Sequence, residues 1–226
     1  MIKSRALAEF LVTVYGKNID EISMDDIETI SISNKGLNGE FCEFYPEDLL
    51  LFKNLKRINF DSAVLSVDDI KRIGNISTLQ QISFKTCAFE EDKSLREFKN
   101  IKGLILHDTY IDDYSFLEEM EKLEILQIVT PPTEETINLE LLHNANSLSM
   151  LVLDTCMVEN FEALKDKPIE YLSLLMTKLQ ESDINFIRQL PNLKKLYINE
   201  EFGNLINRDN IEVKYNLIEE TFAKEL

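Results

Sequence analysis

His107 and Asp108 are adjacent in the sequence, and Ser83 precedes them, so the three residue types of a hydrolase triad occur near one another. In such a triad the carboxylate orients the imidazole, which accepts the proton of the serine hydroxyl. No G-x-S-x-G sequence is present, and nothing indicates a backbone oxyanion site. An enzyme that depends on His107 is therefore the weakest of three hypotheses about function, and we expect no enzyme.

The three cysteines, Cys42, Cys87 and Cys156, are far apart and include no CxxC pair. With His107 and His143 as the only histidines, they do not have the spacing of a zinc site. An odd number of separated cysteines favours a reducing compartment over a disulfide framework. We expect no metal and no cofactor.

An eleven-residue pattern with apolar residues at positions 1, 4, 6 and 11 organises the chain, and 101–111 is its clearest copy. Positions 4 and 6 follow the period of two that directs side chains of a short strand to one face. Eight copies begin at Ile27, Leu55, Leu79, Ile101, Leu123, Leu148, Ile169 and Leu193. Their intervals of 21 to 28 residues resemble those of leucine-rich repeats.

The repeats are most similar to those of bacterial leucine-rich-repeat proteins of the internalin-like class, and the stretch ALAEFLVTVYGKNIDEISMDDIETISISNKGL at 6–37 resembles the helical N-terminal cap of that class. The resemblance implies an α/β solenoid, or horseshoe, with about eight repeats. A parallel β-sheet forms its concave face, and helices and turns form its convex face. We assign 1–26 to an N-terminal helical cap, 27–203 to the repeats and 204–226 to a C-terminal cap.

Position 9 departs from the family, which usually has an inward-facing Asn or Cys there. The eight residues are Lys35, Ala63, Cys87, Thr109, Pro131, Cys156, Thr177 and Glu201. Without an asparagine ladder we expect irregular turns, most of all at Pro131 and Pro132. Cys87 and Cys156 should be buried as small hydrophobes, whereas His107 at position 7 should face the opposite side of the sheet.

Helices are predicted where apolar residues recur every three or four positions. Leu7, Phe10, Leu11 and Val14 define one face of an N-terminal helix. Further helices are expected at 66–76, 114–122, 134–144 and 182–190, a last strand at 211–215, and a short helix at 217–226.

The net charge of −17 opposes binding to nucleic acid or to an anionic membrane surface. No apolar run of membrane-spanning length occurs. Glu9 interrupts the apolar stretch after Lys3 and Arg5, which argues against a signal peptide. We therefore expect a cytoplasmic protein, and an exported internalin-like adhesin with a longer precursor is the alternative.

Acidic residues follow many of the predicted strands, as at Asp68–Asp69, 90–92, Asp112–Asp113, 134–135, and at Glu181 and Asp183. Stacked in neighbouring repeats, they would form a negative edge able to attract cations or a basic partner. The alternative is that they cap helices and offset helix dipoles, as the spacing of Ser66 and Asp69 indicates. We favour capping over metal binding and leave a basic partner open.

Positions 3, 5 and 7 of each strand should form the concave surface. They are polar in the first three repeats and become apolar from the fourth. The predicted partner-binding residues are Ile105, Ile125, Val129, Met150, Val152, Tyr171, Leu175 and Tyr197, with His107 and Asp154 as polar members; Lys195 is a further polar neighbour. An exposed apolar patch of this kind is typical of an interaction site. The sequence therefore predicts a non-catalytic module that binds a protein or peptide, or a second copy of itself.

Overall fold

The computed structural model describes residues 2–33, 43–130, 135–203, 205–206 and 210–215. In these ranges nine strands form one parallel sheet in chain order. The strands are β1 (Thr29–Ser33), β2 (Arg57–Asp61), β3 (Gln81–Lys85), β4 (Gly103–His107), β5 (Ile125–Val129), β6 (Met150–Asp154), β7 (Tyr171–Leu174), β8 (Lys195–Ile198) and β9 (Glu212–Lys214). The expected parallel sheet is thus present, with the predicted strand at 211–215 as its last member.

Register is constant across the sheet, because each repeat adds one strand without an offset. Ile58 pairs with Ile82, which pairs with Leu104, and that row continues through Leu126 and Leu151. Residues at repeat positions 4 and 6 are at most 1% exposed in all eight repeats. The core is therefore a stack of aliphatic and aromatic rows on one face of the sheet, and the period-two prediction is confirmed.

The convex returns contain fewer α-helices than the sequence indicates. Helix α2 (Val67–Gly74) lies in the predicted segment 66–76, and α3 (Glu181–Ile187) begins one residue before the predicted segment 182–190 and ends three residues before its end. The segment 114–122 instead contains the 3₁₀ helix Tyr114–Glu119. In the described part of 134–144, the strand Thr136–Asn138 precedes the 3₁₀ helix Leu139–Leu142. A 3₁₀ helix rises farther per residue than an α-helix, so it covers a short return with fewer residues.

Helix α1 (Arg5–Tyr15) closes the N-terminal end of the core with Ala6, Leu7 and Leu11. Gly16 ends the helix in the left-handed region at φ 60°. Phe10 is half-buried and Val14 is 58% exposed, so the buried stripe is narrower than predicted.

Asp48 lies in the 3₁₀ helix Pro46–Leu51 and holds the start of α1 against it. Its Oδ2 accepts hydrogen bonds from the backbone N–H groups of Lys3 at 2.8 Å and Ser4 at 2.6 Å. Ser4 is buried, and its Oγ accepts a hydrogen bond from the Tyr45 backbone N–H at 2.7 Å. A distant carboxylate thus satisfies donors that a local capping side chain normally satisfies.

Turns after the strands are regular in five repeats, so irregular turns are not general along the solenoid. The residue at position 8 is left-handed in each of them: Ser62, Thr86, Asp108, Thr155 and Met176, with φ between 48° and 64°. At position 9, a hydroxyl or thiol reaches the position-6 carbonyl of the preceding repeat: Cys87 to Phe60, Thr109 to Phe84, Cys156 to Ile128, and Thr177 to Leu153. These short side chains replace the missing asparagine ladder.

Thr130, at position 8 of the fifth repeat, is not among the left-handed residues. Pro131 and Pro132, the predicted helix at 217–226 and Cys42 lie outside the described residues. Over the described ranges, the chain contains no helix that is both long enough and apolar enough to cross a membrane.

Candidate functional site

The concave face carries one compact apolar cluster on β6–β8. Val152, Tyr171, Leu175 and Tyr197 form this concave cluster, and Val129 and Met150 pack against it. Tyr171 and Tyr197 lie on neighbouring strands with ring centroids 5.4 Å apart and an interplanar angle of 31°. Positions 3, 5 and 7 of consecutive repeats are thus brought together as predicted, because the register is constant.

Burial of this surface differs from the sequence prediction. Six of the ten predicted residues are at most 8% exposed: Ile105, Val152, Asp154, Tyr171, Leu175 and Tyr197. The other four are half-buried: His107, Ile125, Val129 and Met150. Large side chains on adjacent strands cover one another, and Ser173 leaves room between Val152 and Tyr197. The predicted patch is therefore less exposed than the sequence indicates, and its accessible part lies on β4–β6.

Asp154 is the buried acidic group of this face. Its Oδ1 accepts hydrogen bonds from Ser173 Oγ at 2.6 Å and from the Leu175 backbone N–H at 2.8 Å. Within the described chain, Oδ2 has no hydrogen-bond partner. Burial raises the pKa of Asp154, and the two hydrogen bonds oppose that rise.

Two lysines adjoin the concave cluster: Lys195, which the sequence predicts as a polar neighbour of the patch, and Lys214, which the sequence does not indicate. Lys195 Nζ lies 5.9 Å from the centroid of the Tyr171 ring, and Lys214 Nζ lies 5.9 Å from that of Tyr197. These distances permit cation–π attraction. Lys214 also forms an ion pair with Glu212 at 3.0 Å. The signal that predicts such contacts is a lysine one strand after a tyrosine at the same repeat position, as at Tyr171 and Lys195.

The residues of the hydrolase hypothesis do not form a triad. Ser83 pairs in register with Ile105, whereas His107 pairs with Lys85. His107 Nδ1 lies 3.0 Å from Asp108 Oδ2, but both side chains are more than 40% exposed. An exposed pair provides little of the water exclusion that strengthens electrostatic catalysis.

Cys87 and Cys156 are buried on the core side of the turns, as predicted. Burial raises the pKa of each thiol to about 11. The thiolate is the nucleophilic form, so both cysteines should be poor nucleophiles near neutral pH. Within the described ranges, no three His, Cys, Asp or Glu residues are grouped so that they could hold a metal ion.

Acidic residues of the predicted negative edge cap backbone groups. Asp69 and Ser66 form a capping box at α2, and Asp113 accepts a hydrogen bond from Ser115 N at 2.8 Å. Asp92 Oδ2 accepts one from Asp112 N at 2.7 Å. Burial raises the pKa of Asp92, whereas hydrogen bonds from Ser115 lower that of Asp113. The capping interpretation therefore accounts for these positions.

Parallel strands of constant register, short convex returns and a repeated left-handed turn define a leucine-rich-repeat solenoid. The chain has this fold, and solved structures share it. Internalin C2 from Listeria monocytogenes is 17% identical with a TM-score of 0.55, and the match covers 93% of this chain and 82% of that one.

Two similar structures are complexes. TLR13 in its complex with ssRNA13 is 17% identical with a TM-score of 0.57, over 87% of this chain and 34% of that one. Drosophila Toll in its complex with Spatzle is 11% identical with a TM-score of 0.53, and the match covers 83% of this chain and 30% of that one. This chain thus spans about a third of those two proteins. No protein-family model matches the sequence, and no curated protein does.

Proposed function

We propose that this protein is a non-catalytic binding module that binds a protein or peptide on the concave face of β4–β8. The observation that carries the proposal is the concave cluster together with its half-buried margin, Ile125, Val129 and Met150. A well-packed apolar centre beside accessible apolar side chains is the arrangement found at protein interfaces. The solenoid fold supports this class of function in general.

The negative net charge of the chain favours a protein partner over nucleic acid. The structural neighbours include a complex with RNA and a complex between two proteins. The chain has a net charge of −17, and counterion release on nucleic acid requires basic residues against the phosphates. Lys195 and Lys214 are the cations identified beside the concave cluster, and Lys214 is paired with Glu212. We therefore favour a protein or peptide, bound without a cofactor.

The test uses substitutions at half-buried positions, because a charge at fully buried Val152 would unfold the protein. The double variant Ile125→Asp, Met150→Asp changes the margin of the concave cluster. The control, Leu50→Asp, Val64→Asp, makes the same change in chemistry at convex residues that are 67% and 69% exposed. Both variants are checked by circular dichroism, and proteins captured from a cell lysate are identified by mass spectrometry.

We expect the wild type and the convex variant to capture the same protein and the folded concave variant to lose it. Equal capture by all three would reject the concave site. Because a second copy of the chain is an alternative occupant, sedimentation velocity is run on all three. A dimer that the concave variant alone abolishes would identify self-association as the function of this face.

We further propose a cytoplasmic location, and the two free thiols of Cys87 and Cys156 support this proposal because free thiols persist in a reducing compartment. Cell fractionation with an antibody against the chain tests this placement. Recovery on the cell surface or in the medium would favour the exported adhesin instead.

A further inference from the structure

A groove lies at the N-terminal end of the sheet, away from the concave cluster. Its volume of about 580 Å³ is within the range of known ligand sites. Helix α1 forms one wall, and the concave surface of β1–β3 forms the floor. The lining residues on which the argument depends are Phe10, Val14, Ser31, Asn59, Asp61 and Ser83. We call this concavity the α1 groove.

The groove exists because the concave side chains here are small. Position 5 is Ser31, Asn59 and Ser83 in the first three repeats, whereas it is Val152 and Tyr197 in the sixth and eighth. Asn59 Nδ2 donates a hydrogen bond to Ser31 Oγ at 3.1 Å, so the amide lies along the floor. The floor consequently presents hydroxyl and amide groups between strands that lie about 4.8 Å apart.

The wall of the groove is held in place. Asp48 binds the backbone N–H groups of Lys3 and Ser4, and Ala6, Leu7 and Leu11 anchor α1 in the core. Phe10 is half-buried, while Val14 is 58% exposed at the rim. An apolar wall fixed to a rigid sheet loses little conformational entropy when a ligand binds.

We propose that the α1 groove binds an extended peptide segment of a partner protein in which a basic residue adjoins an apolar residue. The apolar side chain packs on Phe10 and Val14. Glu9 on the wall and Asp61 on the floor supply carboxylates for the basic side chain. The net charge of −17 attracts such a segment at long range.

The charged and hydroxyl groups of the groove limit how the peptide lies. Glu9 forms an ion pair with Arg5 at 2.7 Å, so Asp61 is the stronger candidate for the basic residue. Lys85 also lines the groove and is the cross-strand neighbour of Asp61, so a basic side chain must reach Asp61 from the β1 side. The hydroxyls of Ser31 and Ser83 face the peptide backbone. This site is separate from the proposed concave-cluster site and does not depend on it.

The experiment pans the full-length protein against a phage-displayed library of random peptides, and an enriched peptide is then synthesised for titration. Two variants change the groove, Val14→Lys and Asp61→Lys. Val12→Lys is the matched control on the same helix, at a residue that is 45% exposed and does not line the groove. Glu121→Lys matches the charge reversal at an exposed convex residue. Folding of each variant is checked by circular dichroism.

We expect the enriched sequences to contain Lys or Arg next to an apolar residue. The synthetic peptide should bind Val14→Lys and Asp61→Lys about tenfold more weakly than the wild type, and bind both controls as the wild type does. The proposal is overturned if no sequence is enriched, if enriched sequences lack a basic residue, or if all variants bind equally. A peptide whose binding is abolished only by the Ile125→Asp, Met150→Asp variant would overturn it while supporting the concave cluster as the site.

Discussion

Asp154 Oδ1 accepts a hydrogen bond of 2.6 Å from Ser173 Oγ, which joins the side chains of two neighbouring strands on the concave face. The same oxygen accepts the Leu175 backbone N–H, so one carboxylate connects the end of β6 to the end of β7. Both partners are buried, and Leu175 belongs to the concave cluster. A polar contact thus fixes the position of the apolar side chains that we propose as the binding surface.

Substitution of Asp154 should change how stability depends on pH. Burial raises the pKa of Asp154 in the folded state above the unfolded value of about 3.9. The native state therefore holds the proton more tightly, and it loses stability as pH rises through the interval between these two pKa values. Asp154→Asn removes that loss and keeps an oxygen that accepts the hydrogen bonds of Ser173 and Leu175.

The measurement is the free energy of unfolding of wild type and Asp154→Asn by urea titration between about pH 4 and about pH 7. The difference between them should move in favour of the variant as pH rises. Asp61→Asn, at an exposed concave position, is the control for the same chemical change. A difference that stays constant, or moves in favour of the wild type, would contradict the burial argument.

Removing the backbone strain of the left-handed residue Thr86 should stabilise the protein. Thr86 has φ 54° and is exposed, and a β-branched residue is strained in this region, whereas Asn tolerates it. We expect Thr86→Asn to raise the free energy of unfolding by about 0.5 to 1 kcal/mol. Thr78→Asn is the control, since Thr78 is also exposed and is not left-handed. A gain no larger than that of Thr78→Asn would rule out strain at Thr86.

The attachment of α1 can be tested at Asp48. Asp48→Ala leaves the backbone N–H groups of Lys3 and Ser4 without their acceptor, which should cost about 1 to 3 kcal/mol of stability. Asp48→Asn keeps one oxygen as an acceptor and should lose less. Chemical denaturation of the three proteins provides the values. Equal losses for Ala and Asn would show that the negative charge, rather than hydrogen-bond acceptance, stabilises this end.

The buried cysteines should resist alkylation. Their pKa of about 11 leaves little thiolate at pH 8, and both side chains are only 5% exposed. Iodoacetamide should therefore leave Cys87 and Cys156 unmodified in the native protein and label them in guanidinium chloride. Peptide mass spectrometry distinguishes the two sites. Labelling of either cysteine in the native protein at the rate seen in denaturant would contradict its burial.

Much of the core was predictable because it depends on local periodicity. Apolar residues at positions 4 and 6 of each repeat determine which face of a strand is buried, and neighbouring repeats then stack in register. The helix at α2 was predictable for a similar reason, since the capping pair Ser66 and Asp69 is local.

Burial on the concave face and the shape of the convex returns depend on contacts between repeats. Whether Val152 is exposed depends on Tyr171 and Tyr197, which come from the two following strands. The α1 groove likewise arises from small side chains on three strands beside a helix that Asp48 holds in place. Residue periodicity within one repeat indicates neither arrangement.

Calorimetric titration of the purified captured partner into the wild type, the Ile125→Asp, Met150→Asp variant and the Leu50→Asp, Val64→Asp variant tests the central claim most directly. The claim is that the concave face binds a protein. Replacing two accessible apolar side chains that contact the partner with carboxylates costs about 2 kcal/mol or more, so the concave variant should bind at least about thirtyfold more weakly. The convex variant should match the wild type. Equal affinity of the wild type and the folded concave variant would show that the partner binds elsewhere.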